Sequence, residues 1–157
     1  MDQIDRKILL IVQENADIST AELAERVGLS QTPCWRRLKR LEEGGVIKKR
    51  VAVLDRESIN LGMTAFVSVK TNNHSKAWLD EFALSVSRIP EVVEIHRMSG
   101  EVDYLLKVVC PNMNRFDAIY RRLIDTVDFS DVTSHFAMEV IKSTTVMPLD
   151  YAELNES

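Results

Sequence analysis

Apolar positions along the chain switch period several times, and each switch marks an element. Ile4, Ile8, Ile11 and Val12 recur at helical spacing, with Asp2 or Asp5 available to cap the helix start. Residues 19–22, STAE, form a capping-box signature: the serine hydroxyl accepts from an orphan N–H while the glutamate reaches back. Leu23, Ala24 and Val27 give this second helix its apolar side, and Gly28 stands where a left-handed residue would end it. A third helix follows. Ser30 or Thr32 can cap it, Pro33 is tolerated in its first turn, and Cys34, Leu38 and Leu41 fall on one stripe. Trp35 is expected at the core margin. Gly44 and Gly45 close the helix, and VIKKRVAVLD then alternates partly as a strand.

Periodicity lapses over 55–62, DRESINLG, which reads as a linker. Beyond it the order is strand, helix, strand, strand, helix, strand. MTAFVSVKT alternates with period two; Ser75 can cap a helix carrying Leu79, Phe82, Val86 and Ile89 and stopped by Pro90. VVEIHRM and YLLKVVC flank the turn SGEVD as a hairpin. NMNRFDAIYRRLIDTV places Phe116, Ile119, Tyr120, Leu123 and Val127 on one side, and VTSHFAMEVIKSTT reads as a long last strand.

These elements predict an α+β protein: an N-terminal winged helix-turn-helix over 1–54, the linker over 55–62, a ferredoxin-like βαββαβ domain over 63–148, and a tail over 149–157. In the βαββαβ arrangement both helices lie on one face of the sheet, leaving the other open. Met63, Ala65, Val67 and Val69 alternate with Thr64 and Phe66, so neither face of the first strand is plainly water-seeking. An apolar open face of that size is expected to pair with its own copy as a homodimer.

Charge changes the picture most in the third helix. The chain as a whole carries −4, yet residues 26–50 hold eight Lys or Arg against two acids. Residues 61–157 hold nine basic and fourteen acidic side chains, so the polyanion-seeking part is the N-terminal one. At about 100° per residue, Arg36, Lys39 and Arg40 project opposite the apolar stripe, with Arg37 at its edge. Arg36, Arg37 and Arg40 are therefore expected to contact DNA phosphates or guanine edges, with Lys39 beside them. Ser30, Gln31 and Thr32 stand at the end that enters the groove, the latter two placed to read bases. Lys48, Lys49 and Arg50 on the wing are expected to touch phosphates. This reading requires the cations to face outward, free of carboxylates of their own chain.

The remaining chemistry is sparse. Cys34 and Cys110 lack CxxC spacing, which points to neither a zinc site nor a disulfide, and Cys34 reads as a small buried residue. His74, His96 and His135 are far apart, and no metal or cofactor is expected. No apolar run approaches the roughly 20 residues of a membrane span, and MDQIDRKILL is not ordered like a signal peptide, so a cytoplasmic protein is expected.

IDRKILLIVQENADISTAELAERVGLS, TPCWRRLKRLEEGGVIKKRVAVLD, SGEVDYLLKV and SDVTSHFAMEVIKSTT, in that order, resemble the Lrp/AsnC family of prokaryotic transcriptional regulators. The resemblance runs from about Asp2 to Pro148, and TPCWRRLKRLE is most similar to the branch holding the leucine-responsive protein and a regulator of cysteine detoxification. It implies a sequence-specific, non-enzymatic DNA-binding regulator, a homodimer assembling further to a tetramer or octamer, whose C-terminal domains bind an amino acid effector between subunits. Carried over, the effector residues are Gly100 and Asp103 of the turn, Met98 before it, and Thr133 and Ser134 on the last strand. Asp103 suits pairing with an α-ammonium group, and backbone N–H groups of a glycine turn suit an α-carboxylate; without the resemblance, Asp103 reads equally as a hairpin-turn cap. Two alternatives share parts of this pattern: an architectural protein that wraps DNA, and a sirohaem-decarboxylase-like enzyme, against which the intact basic helix and the lack of a nucleophile–base pair both count.

Overall fold

The computed structural model describes residues 1–125 and 128–153. The chain divides into two compact units, Met1–Val53 with Ile141–Ser157, and Leu54–Val140.

The first unit is built on α1 (Gln3–Val12), α2 (Thr20–Val27) and α3 (Gln31–Glu43). Asp2 is the N-cap of α1, and a reciprocal capping box joins its side chain to the Asp5 amide and the Asp5 carboxylate to the Asp2 amide. Ser19 caps α2 through the Glu22 amide at 3.2 Å. Gly28, at φ +73°, ends α2 in the left-handed region that glycine enters without strain. Ser30 takes the N-cap position of α3 without a side-chain bond. Ile8, Leu23 and Cys34 are fully buried at the centre of this three-helix core, with Leu38 and Leu41 supplied by α3. The segment from Ile141 belongs with this unit, although residues 141–148 were expected in the second domain. Leu149 packs on the helical core, Asp150 pairs with Arg6, and the Gln13 amide bonds the Met147 backbone in both directions.

The expected wing strand is absent: residues 46–55 join no ladder among the described residues. A strand needs a neighbour for its amides and carbonyls, and none pairs with this segment among the described residues; the Ile47 amide instead closes back on the Leu41 carbonyl at 3.0 Å. Val51, Val53 and Leu54 are exposed as a result.

The second unit carries β1 (Met63–Lys70), α4 (Lys76–Val86), β2 (Val92–Arg97), β3 (Tyr104–Cys110), α5 (Met113–Ile124) and β4 (Asp131–Phe136). Sheet order is β2-β3-β1-β4 with every neighbouring pair antiparallel, the split arrangement expected of βαββαβ. Ala65, Val67 and Val69 of β1 and Leu106 and Val108 of β3 face the helical layer, where Phe82, Val86, Ile119 and Leu123 complete the core. Trp78, overlooked in the periodicity of α4, stacks on Phe82 with ring centroids 5.2 Å apart. Val127, expected on the apolar side of α5, lies outside the described residues. The last strand stops at Phe136, well short of its expected end. Phe66 on β1 pairs in register with Lys107 on one side and His135 on the other. Glu94 bridges Lys107 at 2.7 Å and His96 at 3.0 Å, and these contacts hold its carboxyl below the ordinary glutamate range, Lys107 foremost.

Candidate nucleic-acid interface and effector site

The three buried positions of α3, Cys34, Leu38 and Leu41, fix which way its cations point. Burial raises the thiol pKa of Cys34, which behaves as a small core residue rather than a reactive one. Ser30, Gln31 and Thr32 are exposed at the N-terminal end of the helix, and Arg36 is exposed on its outer side. Trp35 does not pack at the core margin. One step beyond Cys34 turns it by about 100°, and it stands 51% exposed beside Arg36.

The set of free cations is smaller than the seven expected at the interface. Arg37 donates to Asp2 at 2.5 Å and to Asp5 at 2.9 Å, and its side chain is only 26% exposed. It is bound to its own chain and not available as an outward contact. Arg40 also donates to Asp5, at 2.7 Å, while its side chain remains 64% exposed. Glu42 takes Arg50 at 2.9 Å and approaches Lys39 at 3.8 Å; Arg50 also donates to the Ala16 carbonyl. Arg36, Lys48 and Lys49 enter no ion pair among the described residues. The physical reason lies in α1. Asp5 stands at i with Ile8, Leu9 and Val12 at i+3, i+4 and i+7, so a carboxylate occupies a core position and is 1% exposed. A buried charge must be paired, and the nearest cations are those on the neighbouring side of α3. The sequence offers Asp5 as a cap, and its place in the apolar stripe of α1 is the signal of its burial. The Asp5 amide foremost, then Arg37, holds the Asp2 carboxyl below the ordinary aspartate range, and hydrogen bonds to Asp2 and then Asp5 raise Arg37.

In the second unit the turn between β2 and β3 is closed by the Met98 amide on the Asp103 carbonyl at 2.8 Å. Gly100 adopts φ +110°, with open space where a Cβ would stand, so backbone conformation alone selects glycine there. Asp103 ties the turn to β1: its amide donates to the Val69 carbonyl and its Oδ2 accepts from the Thr71 amide at 2.9 Å. Oδ1 lies 3.9 Å from His74 Nδ1. Met98 is exposed beside this turn. Thr133 and Ser134 separate. Consecutive strand residues point to opposite faces; Ser134 pairs with Val67 in register and turns a buried, unbonded hydroxyl toward the helical layer, whereas Thr133 is exposed. They cannot line one pocket in one subunit. A cavity of about 350 Å³ lies close by, lined by residues 71–73, Trp78 and 128–130, and includes none of the five expected effector residues. Its link to them is the Asp103–Thr71 hydrogen bond. The Asn72–Asn73 pair and the 128–130 segment carry no periodic signal that would have singled them out.

Among the described residues no helix is long and apolar enough to cross a membrane, and no group of three His, Cys, Asp or Glu could hold a metal ion.

Residues 1–48 match the winged helix-turn-helix DNA-binding family, and residues 64–147 match the Lrp/AsnC ligand binding domain. The chain is 50% identical over 151 residues to the DNA-binding transcriptional activator DecR of Escherichia coli K12, covering 96% of this chain and 99% of that one. It is similar to a crystal structure of an AsnC family transcriptional regulator from Agrobacterium tumefaciens, with TM-score 0.95, 54% identity, and coverage of 98% of this chain and 100% of that one. A Neisseria meningitidis transcriptional regulator solved as an L-Met complex matches with TM-score 0.91 and 40% identity, over 96% of this chain and 98% of that one. These relatives are regulators, which sets aside the enzyme alternative. With a DNA-binding half and a ligand-binding half both matched, the chain belongs to the Lrp/AsnC family of DNA-binding transcriptional regulators.

Proposed function

We propose that a cytoplasmic homodimer of this chain binds duplex DNA with α3 of each protomer in the major groove, and that an amino acid effector biases the assembly that does so. The single observation carrying the DNA half is the outward side of α3, where Arg36 enters no ion pair among the described residues and stands beside exposed Gln31, Thr32 and Trp35. Arg36 and the partly engaged Arg40 reach phosphates or guanine edges; Gln31 and Thr32 read bases from the helix N-terminus, next to Ser30. Lys48, Lys49 and Arg50 add phosphate contacts, with Lys39 at the margin. Arg37 serves the scaffold instead.

Support for dimerisation comes from the open sheet face bearing Phe66 and from the exposed Val51 and Val53 of the unpaired wing segment, since both leave apolar surface or backbone groups without partners. Further assembly to tetramers or octamers belongs to the same reading. For the effector, the turn at Gly100 and Asp103, with Met98 before it and Thr133 exposed on β4, receives the α-ammonium and α-carboxylate groups common to amino acids, and Ser134 keeps its hydroxyl buried. The L-Met complex of the Neisseria meningitidis regulator supports that ligand class. Binding helps one state only by differential affinity.

The test combines a melting screen of the twenty amino acids with anisotropy titrations of duplexes enriched from a random pool. At least one amino acid should raise the melting temperature by mass action and change DNA affinity. A bounded footprint on an enriched duplex supports the regulator reading, and uniform protection of any fragment would favour the architectural one.

A further inference from the structure

Resting on the reading that α3 meets DNA, we propose that Asp5 is a positioning residue for sequence recognition: its buried carboxylate orients the Arg40 guanidinium toward base edges. Asp5 occupies a core position of α1 at 1% exposure, where an aliphatic side chain would serve packing as well. Its oxygens are engaged on both sides: Oδ1 accepts from Arg37 at 2.9 Å, and Oδ2 from Arg40 at 2.7 Å and the Asp2 amide at 3.0 Å.

The two arginines differ in what this leaves them. Arg37, held by two carboxylates and 26% exposed, is a tether between α1 and α3. Arg40 gives Asp5 one N–H of Nη2 and keeps 64% of its side chain in solvent. A guanidinium has five donors in one plane, and a bidentate guanine contact uses two, so the outward edge remains competent. Anchoring the opposite edge removes rotamer freedom that binding would otherwise have to remove. Lys39 only approaches the half-buried Glu42, at 3.8 Å, and Glu42 already holds Arg50, so Lys39 has no comparable anchor.

Asp5 also places a negative charge behind a DNA-facing helix. It therefore opposes sequence-independent attraction while supporting sequence-dependent contact. A residue needed only for folding has no such pair of opposite effects.

The experiment uses the full chain, a duplex enriched by the wild-type protein from a random pool, and a scrambled duplex of equal length and composition. Anisotropy titrations run well below each variant's melting temperature. Asp5→Asn should weaken the enriched duplex about 10-fold or more, leave the scrambled duplex unchanged or tighter, and add nothing to the loss of specificity in an Arg40→Ala background. Arg40→Lys, which keeps the charge and the Asp5 contact but not the planar fork, should lower the specificity ratio with an unaltered salt slope. Should Asp5→Asn fail to fold, Asp5→Glu, which keeps the charge but displaces the carboxylate from Arg40, decides the matter by the same comparison of the two duplexes. Equal weakening of both duplexes by Asp5→Asn, or a wild-type ratio in Arg40→Lys, would overturn the proposal. If Arg40→Ala itself leaves the enriched duplex bound as in wild type, the placement of Arg40 at the DNA fails first, and the proposal with it.

Discussion

At Arg36 the guanidinium leaves α3 for solvent, and at Arg37, one residue on, it is bound by Asp2 and Asp5 of α1. Neighbouring cations therefore answer different tests. Arg36→Ala, removing one contact from each protomer of the dimer, should lower DNA affinity and make the salt slope shallower by about two units while leaving the melting temperature in place. Arg37→Ala should instead destabilise the first unit by about 1–3 kcal/mol, because it strips a donor from a buried acceptor; chemical denaturation reads this. Asp2 adds a pH dependence. Its folded pKa lies below the ordinary aspartate value, so the unfolded chain takes up its proton first as pH falls. Its contribution is full above about pH 4 and disappears as pH drops through the lower folded value. Denaturation midpoints of wild type should fall across that window, and Asp2→Asn should flatten the decline.

Helix-scale structure was the most legible part of the sequence. The stripes of α1, α2, α3 and α5, the caps at Asp2, Ser19 and Ser75, and the Gly28 stop all follow from local rules, and local rules act within a few residues. What failed depended on distant groups. Residues 46–55 alternate as a strand would, but alternation supplies no partner. Thr133 and Ser134, adjacent in sequence, are sent to opposite faces by the strand they share. The carboxylates that claim Arg37 and Arg40 lie more than thirty residues away in the chain, beyond what helical periodicity reports. The turn before β3 is a case where local geometry can be tested alone. Gly100→Ala meets no atom within 4 Å, so any loss comes from its φ of +110°. A destabilisation of about 1–3 kcal/mol is expected, together with a weaker melting response to the effector amino acid.

Across the whole molecule, two units carry separate cores, and each leaves something unpaired that a second copy could complete. On the open side of the sheet, Phe66 lies in one row with Lys107, Glu94 and His135. Because Glu94 already satisfies Lys107, the row offers an apolar ring flanked by an internal ion pair and not by loose charge. Phe66→Glu should shift sedimentation from dimer toward monomer without altering helix content, and an unchanged mass would place the interface elsewhere. The smaller set of unpaired cations also sets an electrostatic expectation. Arg36, Lys48 and Lys49 from two protomers supply about six phosphate contacts, hence a share of about −5 in the slope of log affinity against log salt, to which the partly engaged Arg40 and Arg50 add. The most direct measurement is that slope, determined on one enriched duplex for the wild type and for the Arg36→Ala, Lys48→Ala, Lys49→Ala triple variant. A steep wild-type line that becomes shallower by about five units in the triple variant is the predicted result; a shallow wild-type line, or one the triple variant reproduces, would contradict it.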